Sequence, residues 1–146
     1  CQVSIDEISQ ADGAGHRLTF VNRAQTEIVK IDEVLVSRIL FNLLSNAVKY
    51  SPEGSEIRLE LDQVGQHLRL RVIDRGMGIS PADQARIFEP FYRASSALRF
   101  EGTGLGLSIV QDCVKRHRGN IRVQSTASRG TVFTVELPIA SAIAVG

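Results

Sequence analysis

The longest helical pattern in the chain covers residues 32–50. Apolar residues recur there in two adjacent rows with a spacing of four: Leu35, Ile39, Leu43, Ala47 and Val36, Leu40, Leu44, Val48. This spacing places both rows on one side of a helix, which would pack against a core. Asp32 is suited to cap the start of this helix, and Pro52 and Gly54 predict its end.

Alternation of apolar and polar residues predicts strands on both sides of this helix. The alternating segments are 17–21 and 26–30, which follow a turn-like cluster at 11–15, then 56–62 and 68–74, and finally 120–125 and 131–137. The middle pair is separated by a turn at 64–66 and predicts a hairpin with one polar face. A turn at 128–130 separates the last pair.

Two further helices and one irregular stretch complete the pattern. A short helix is predicted after Ser80, and helical spacing returns over residues 104–117. Residues 88–102 show no steady period, and a stretch of this length in a compact domain is typical of a functional lid. Strands and helices form groups instead of alternating strictly, which favours an α+β two-layer sandwich, with a mixed sheet against a layer of helices, over a doubly wound parallel sheet.

Length and composition limit the class of function. The 146 residues suit a single domain, and the net charge of +1 argues against a nucleic-acid partner. No apolar run reaches the roughly 18 to 20 residues that span a bilayer, so no membrane contact is expected. Cys1 and Cys113 lack disulfide or metal-ligand spacing, which fits a reducing cytosol, and Cys113 is expected in the core. Because Met77 is the only methionine, we expect a piece of a longer protein.

Polar residues form a stripe along the first helix. Arg38, Asn42, Asn46 and Lys49 follow one another at spacings of four, four and three. Asparagine is unfavourable inside helices, so two of them one turn apart suggest a compensating role. Their amide oxygens could bind Mg²⁺, and Lys49 could meet a phosphate. The alternative is a solvent-facing stripe with two incidental amides.

Two glycine-containing segments could hold the rest of a ligand. Asp74 ends a predicted strand beside Gly76 and Gly78, where a flat ligand could approach the backbone and donate an amine hydrogen to the carboxylate, although this pattern is also a common turn. Residues 102–107, Gly-Thr-Gly-Leu-Gly-Leu, lead into a helix and predict a phosphate site. Leu107 replaces the third glycine of G-x-G-x-x-G and no Gly-Lys-Ser/Thr occurs, so Rossmann and P-loop sites are disfavoured.

Taken in order, these segments resemble the motifs of a known family. The chain carries an N box at 42–51, a first glycine box at 74–79, an F box at 88–93, a second glycine box at 102–107 and a last short motif at 130–133. The set resembles the catalytic and ATP-binding domain of bacterial sensor histidine kinases, in the GHKL superfamily of gyrase, Hsp90 and MutL ATPases. The resemblance covers about residues 32–138 and implies a Bergerat-type fold with ATP and Mg²⁺ as cofactors.

The resemblance also implies roles for individual residues. Asn46 and Asn42 would hold Mg²⁺, and Asn42, Lys49 and Arg93 would be catalytic. The implied ATP-binding set adds Tyr50, Asp74, Gly76, Gly78, Ile79, Phe91, Gly102, Thr103, Gly104, Leu105, Gly106, Leu107 and Thr131. Arg93 could equally be a solvated loop charge, and Phe88 and Phe91 could be core anchors.

The resemblance favours transfer of phosphate over its hydrolysis. ATPases of the superfamily have a water-activating Glu where this chain has Asn42. His16 in a predicted strand, His67 in a hairpin and His117 closing a helix do not resemble a phosphoacceptor, so the acceptor histidine would lie on a separate dimerisation domain, with a response regulator acting downstream. The domain would be cytoplasmic, within a parent protein compatible with an inner-membrane anchor. The rival function is a nucleotide-binding or degenerate regulatory module without phosphotransfer.

Overall fold

The computed structural model describes residues 15–24, 29–98, 100–127 and 129–141. Its elements in chain order are β1 (Arg17–Asn22), β2 (Val29–Lys30), α1 (Glu33–Tyr50), β3 (Glu56–Val64), β4 (His67–Asp74), α2 (Pro81–Gln84), a 3₁₀ helix (Ser95–Ala97), α3 (Gly106–Arg116), β5 (Asn120–Thr126), β6 (Gly130–Pro138) and β7 (Ala140–Ser141). The predicted helices and strands are confirmed where the structure describes them, with boundaries that differ by a few residues; of the predicted strand 26–30, only residues 29–30 can be compared.

Five strands form one mixed sheet in the order β1-β3-β4-β6-β5, and β2 pairs separately with β7. Only β1 and β3 are parallel neighbours in the larger sheet. The predicted hairpin is β3–β4, closed at Gly65 and Gln66, and Gly65 has a φ of 59° that suits glycine. This sheet confirms the α+β prediction. The β4–β6 register sets Asp74 opposite Thr131, at the edge of the sheet where the glycine motifs follow.

The core lies between one face of the sheet and the two longer helices. Alternate residues of the central strands point into it, as the period of two predicts: Ile57, Leu59, Leu70, Val72, Phe133, Val135 and Leu137. Both predicted rows of α1 contribute buried members, and α3 adds Val110, Cys113 and Val114. Cys113 is thus a core residue, as expected. Because α1 and α3 cover one face of the sheet, the loops after β4 and before α3 meet at the edge of the sheet, where they can form a site.

The ends of α1 and α3 follow the sequence signals. The carboxylate of Asp32 accepts the backbone N–H of Leu35 at 3.1 Å, which confirms the predicted N-cap. His117 is the C-cap of α3, as expected, and its Nε2 accepts the backbone N–H of Asp32 at 3.3 Å. This contact joins the end of α3 to the start of α1, so the two helices are fixed side by side.

Some boundary predictions were wrong. Helix α3 begins at Gly106 and not at residue 104, because Gly104 has a φ of 75°, outside the right-handed helical region. His16 precedes β1 instead of lying within it, and its buried ring is 3.2 Å from the carbonyl oxygen of Ser51. Cys1, residues 11–14 and 25–28, Arg99 and Ser128 lie outside the described residues. None of the described helices has the length and apolar character required to cross a membrane.

Candidate functional site

A cavity of about 460 Å³ lies between α1, the edge of the sheet and the segment before α3. It brings together the predicted site residues Asn42, Asn46, Lys49, Tyr50, Asp74, Gly76, Gly78, Ile79, Arg93, Gly102, Thr103, Gly104, Leu105, Gly106, Leu107 and Thr131. All five sequence motifs therefore contribute residues to the wall of one cavity. A volume of this size is typical of small-molecule and cofactor sites.

Phe91 is the predicted ATP-binding residue that the structure does not bring to the cavity. Its side chain is 73% exposed, and its backbone has a φ of 65°. The backbone N–H of Phe91 donates to the carbonyl oxygen of Gly104 at 3.0 Å, so it is the main chain that contacts the glycine-rich loop. The core-anchor role suggested for the F box belongs to Phe88 instead, which packs edge to face on Phe133.

One end of the cavity is built around the carboxylate of Asp74. The side chain is 7% exposed, and its Oδ1 accepts the backbone N–H of Gly76 at 2.8 Å. Burial raises the pKa of Asp74, while hydrogen bonds from the backbone N–H groups of Gly76 and Thr131 partly oppose that rise. A side chain on Gly76 would come within 2.7 Å of the carbonyl oxygen of Tyr50, so only glycine allows the loop to lie this close to the end of α1. We call this the base end.

Hydroxyl groups hold the floor of the base end in place. Thr131 is buried, and its hydroxyl lies 2.8 Å from the hydroxyl of Ser125. Ser125 Oγ also accepts the backbone N–H of Ile79 at 2.7 Å. This contact fastens the loop after β4 to strand β5. Ser125 carried no sequence signal of its own, because its role depends on the pairing of β5 with β6.

Two amide side chains meet at the start of α3. Asn42 uses Nδ2 to donate to the carbonyl oxygen of Arg38 at 2.8 Å, and its Oδ1 lies 3.3 Å from where a Cβ on Gly106 would be. The Oδ1 of Asn46 lies 4.0 Å from the same point. Two amide oxygens beside a helix N-terminus fit a hard cation that keeps water and phosphate ligands. Arg38 departs from this arrangement and lines a neighbouring cavity of about 650 Å³.

Two cations converge on Gly102, in the glycine-rich loop before α3. Lys49 Nζ lies 2.8 Å, and Arg93 Nη2 3.6 Å, from where a Cβ on Gly102 would be. Arg93 also donates to the carbonyl oxygens of Ala97, at 2.8 Å, and Phe100. Among the described residues neither cation pairs with a carboxylate. With the N-terminus of α3 nearby, this region, the phosphate end, suits an anion.

The structure adds residues that sequence reasoning left without a role. Apolar side chains form much of the remaining wall: Met77, Ile87, Ile109 and Phe133, together with Ala94 and Ala97. Tyr92 and Ser96 also line the cavity. Met77, Tyr92 and Phe133 lie within the sequence motifs, so the motifs offered a signal for these three residues. Alternation and helical periodicity, by contrast, do not indicate which side of a loop faces a ligand.

The family model and the curated relative that match this chain agree with each other. A family model described as histidine kinase-, DNA gyrase B-, and HSP90-like ATPase matches residues 31–141. The sensor-like histidine kinase SenX3 of Mycobacterium tuberculosis is 43% identical over 109 residues, which are 73% of this chain and 27% of that protein. The chain thus spans about a quarter of the length of this curated relative.

Solved structures share the fold over nearly the whole chain. The mycobacterial sensor histidine kinase MprB is 29% identical with a TM-score of 0.83, covering 96% of this chain and 93% of that one. Full-length ShkA in complex with AMPPNP is 28% identical with a TM-score of 0.85, covering 97% of this chain and 29% of that one. These likenesses agree with the mixed sheet and helix layer described above.

Proposed function

The chain belongs to the family of histidine kinase-, DNA gyrase B- and HSP90-like ATPases, and on that basis we propose that it binds Mg²⁺–ATP and donates the γ-phosphoryl group to a histidine of a separate domain. The observation that carries the proposal is the make-up of one cavity. Its wall carries a buried carboxylate at the end of β4, and two cations with two amides beside the glycine-rich loop and the start of α3. That polarity matches a nucleotide, with a base at one end and phosphates at the other.

The base end would select adenine. The Asp74 carboxylate accepts hydrogen bonds, and the exocyclic amino group of adenine donates them. Gly76 lets the loop after β4 approach the main chain of Tyr50, where any side chain would collide, and it adds no side chain to the part of the cavity that would receive the base. The apolar wall formed by Met77, Ile87 and Phe133 would cover the ring faces and exclude water.

The phosphate end would supply the catalysis. Lys49 and Arg93 would bind phosphate oxygens, and the free N–H groups at the start of α3 would add hydrogen bonds. Asn46 and Asn42 would hold Mg²⁺, which supplies charge neutralisation for the phosphates when bound. Phosphoryl transfer has a loose transition state, so positioning and charge neutralisation provide most of the acceleration.

The site favours transfer to a protein nucleophile over hydrolysis. Asn42 cannot act as a general base, and its amide already donates to Arg38. His16, His67 and His117 lie outside the residues that line the cavity. The acceptor histidine would therefore belong to a dimerisation domain of the parent kinase in the cytoplasm, and a response regulator would receive the phosphoryl group afterwards.

Labelled ATP tests the proposal directly. The chain is mixed with Mg²⁺, ATP labelled at the γ-phosphate and the histidine-bearing domain of its parent, and the products are tested for acid-labile phosphohistidine. Label on that domain is expected, and a matched domain with the histidine replaced by alanine should stay unlabelled. Tight ATP binding with no transfer would identify a regulatory nucleotide-binding module instead. No ATP binding would overturn both functions.

A further inference from the structure

The lid, defined as residues 88–102, is fastened to the body of the domain by a carboxylate outside the cavity. Asp83 lies in the short helix α2 and is 7% exposed, although it does not line the cavity. Its Oδ1 accepts the hydroxyl of Tyr92, and its Oδ2 accepts the hydroxyl of Ser80 at 2.9 Å. Oδ2 also accepts the hydroxyl and the backbone N–H of Ser95, at 3.0 and 3.2 Å. Four donors from three residues thus converge on one carboxylate.

The partners of Asp83 stand on both sides of Arg93. Tyr92 immediately precedes it, and Ser95 follows two residues later at the start of the 3₁₀ helix. The guanidinium of Arg93 donates to the carbonyl oxygens of Ala97, the last residue of that helix, and of Phe100, three residues further along the chain. The backbone of this half of the lid is therefore held where the guanidinium can reach the phosphate end.

We propose that Asp83 is a positioning residue: by binding Tyr92 and Ser95 it fixes the guanidinium of Arg93 at the phosphate end of the cavity. The inference rests on the proposed function, because Arg93 matters only if that end receives phosphate. Asp83 does not line the cavity and would therefore act only through its partners. It differs in this from Lys49, which reaches the same point from the rigid helix α1 and needs no such support.

The charge states of the pair support this arrangement. Hydrogen bonds from Tyr92 and Ser80 lower the pKa of Asp83, and the bond to the carboxylate raises the pKa of Tyr92. At neutral pH the carboxylate is thus ionised and the phenol keeps the proton that it donates. The guanidinium of Arg86 lies over the ring of Tyr92, 4.5 Å from the ring centroid. Because Arg86 also binds Glu89, this contact further restrains the ring of Tyr92.

The test measures the binding of AMPPNP and of adenosine to the Asp83→Asn variant and to the unsubstituted chain. An amide accepts at one oxygen only and directs N–H groups at existing donors, so the network around Asp83 is broken. AMPPNP affinity is expected to fall about tenfold, the loss of one charge-assisted contact, while adenosine affinity stays unchanged. Asp112→Asn is the matched control, because that carboxylate is exposed and, within the described part of the chain, its ion pair is with Arg116 of the same helix.

A double-mutant cycle separates positioning from general damage to the fold. Arg93→Ala lowers AMPPNP affinity by itself, and adding Asp83→Asn should then cause no further loss if Asp83 acts through Arg93. Additive losses, or an equal loss of adenosine affinity, would overturn the inference. Ser95→Ala removes a single hydroxyl donor at an exposed position and gives the same comparison with a smaller effect, should Asp83→Asn not fold.

Hydrogen exchange without nucleotide keeps this inference separate from the proposed function. If the unsubstituted chain binds no ATP, the proposed function fails. The exchange rates of the amides of 92–97 nevertheless still show whether Asp83 holds this segment in place. Asp83→Asn should speed their exchange at least several-fold, since each opening no longer breaks the network. Unchanged exchange at those amides, with α1 as the internal reference, would overturn the positioning role whatever the protein binds.

Discussion

The two ends of the cavity are built in different ways. At the base end, Asp74 is fixed by backbone N–H groups of Gly76 and Thr131, and its neighbours are strand ends whose register the sheet determines. At the phosphate end, long side chains of Lys49 and Arg93 meet over a glycine-rich loop. The first end is held by main chain and the second by side chains.

This difference suggests a division of labour. A rigid base end discriminates between ligands, because a mismatched group leaves a buried carboxylate without a partner. A phosphate end made of long cationic side chains stabilises the charge that develops during transfer when those side chains are held in position beforehand. Substitutions at the base end should therefore change which nucleotide binds, and those at the phosphate end should change what happens to it.

The largest effect is expected at the amide pair of the phosphate end. Asn46→Ala removes one predicted Mg²⁺ ligand, so phosphotransfer should fall by about 10² to 10³-fold, as for the loss of one electrostatic contact in a transition state. Isothermal titration should also lose most of the Mg²⁺ dependence of ATP binding. The fold should survive, because alanine is favourable within a helix.

Asn120→Ala is the control for this variant, since it deletes an exposed amide on β5 away from the cavity. It should leave both transfer and the Mg²⁺ titration unchanged. A normal Mg²⁺ titration in Asn46→Ala would return the polar stripe of α1 to its alternative interpretation as a solvent-facing surface.

The next effect belongs to the base end. Asp74→Asn replaces a charged acceptor, so ATP affinity should fall by about ten- to a hundredfold. GTP serves as the internal control, because guanine carries no amino group at the corresponding ring position and should lose little. Calorimetry with both nucleotides measures the difference. Equal losses for ATP and GTP would mean that Asp74 does not select the base.

Elements with a strong period were predictable from the sequence, and contacts that join distant elements were not. The rows of α1, its Asp32 cap and the β3–β4 hairpin follow from spacing alone. The cavity residues followed from motifs, since glycines and isolated polar residues within apolar segments mark close approach of a ligand. The predicted role of Phe91 in ATP binding did not carry over to the cavity wall, because its side chain is exposed and its backbone has a positive φ that the sequence pattern did not indicate.

The network of Asp83 had no signal in the sequence for a comparable reason. Its partners Tyr92 and Ser95 lie nine and twelve residues away in a stretch without a period. A carboxylate in a short polar helix is usually solvated, so composition predicts an exposed Asp83. Asp83 is buried because Tyr92 and Ser95 of the lid pack against it. Such contacts between distant residues cannot be predicted from local sequence patterns.

A smaller effect is expected on stability, where alanine substitutions at two glycines of the loop can be compared. Gly104 has a φ of 75°, and a Cβ there would lie 2.8 Å from the backbone of Phe91, so Gly104→Ala should lower the free energy of unfolding by about 1 to 3 kcal/mol. At Gly102 the nearest atom is the mobile Nζ of Lys49, so Gly102→Ala should change that free energy by less than about 0.5 kcal/mol. Urea unfolding measures both, and equal losses would show that the loop is fixed at its phosphate end too.

The smallest expected effect is a redistribution of exchange along the lid when nucleotide binds. The sequence predicts that residues 88–102 are mobile without nucleotide and partly ordered with it. The contacts of Asp83 and the bond from Ser96 Oγ to the carbonyl oxygen of Gly78 fasten the first half of this segment to the body of the domain without any ligand. Because ligand can slow exchange only where it adds differential contacts, AMPPNP with Mg²⁺ should protect amides near Gly102 several-fold and those of 92–97 much less. Two results would contradict a lid whose first half is held by Asp83 and whose second half is ordered by phosphate. One is uniform protection across 88–102 on nucleotide binding, and the other is protection of the whole segment as strong as that of α1 before nucleotide is added.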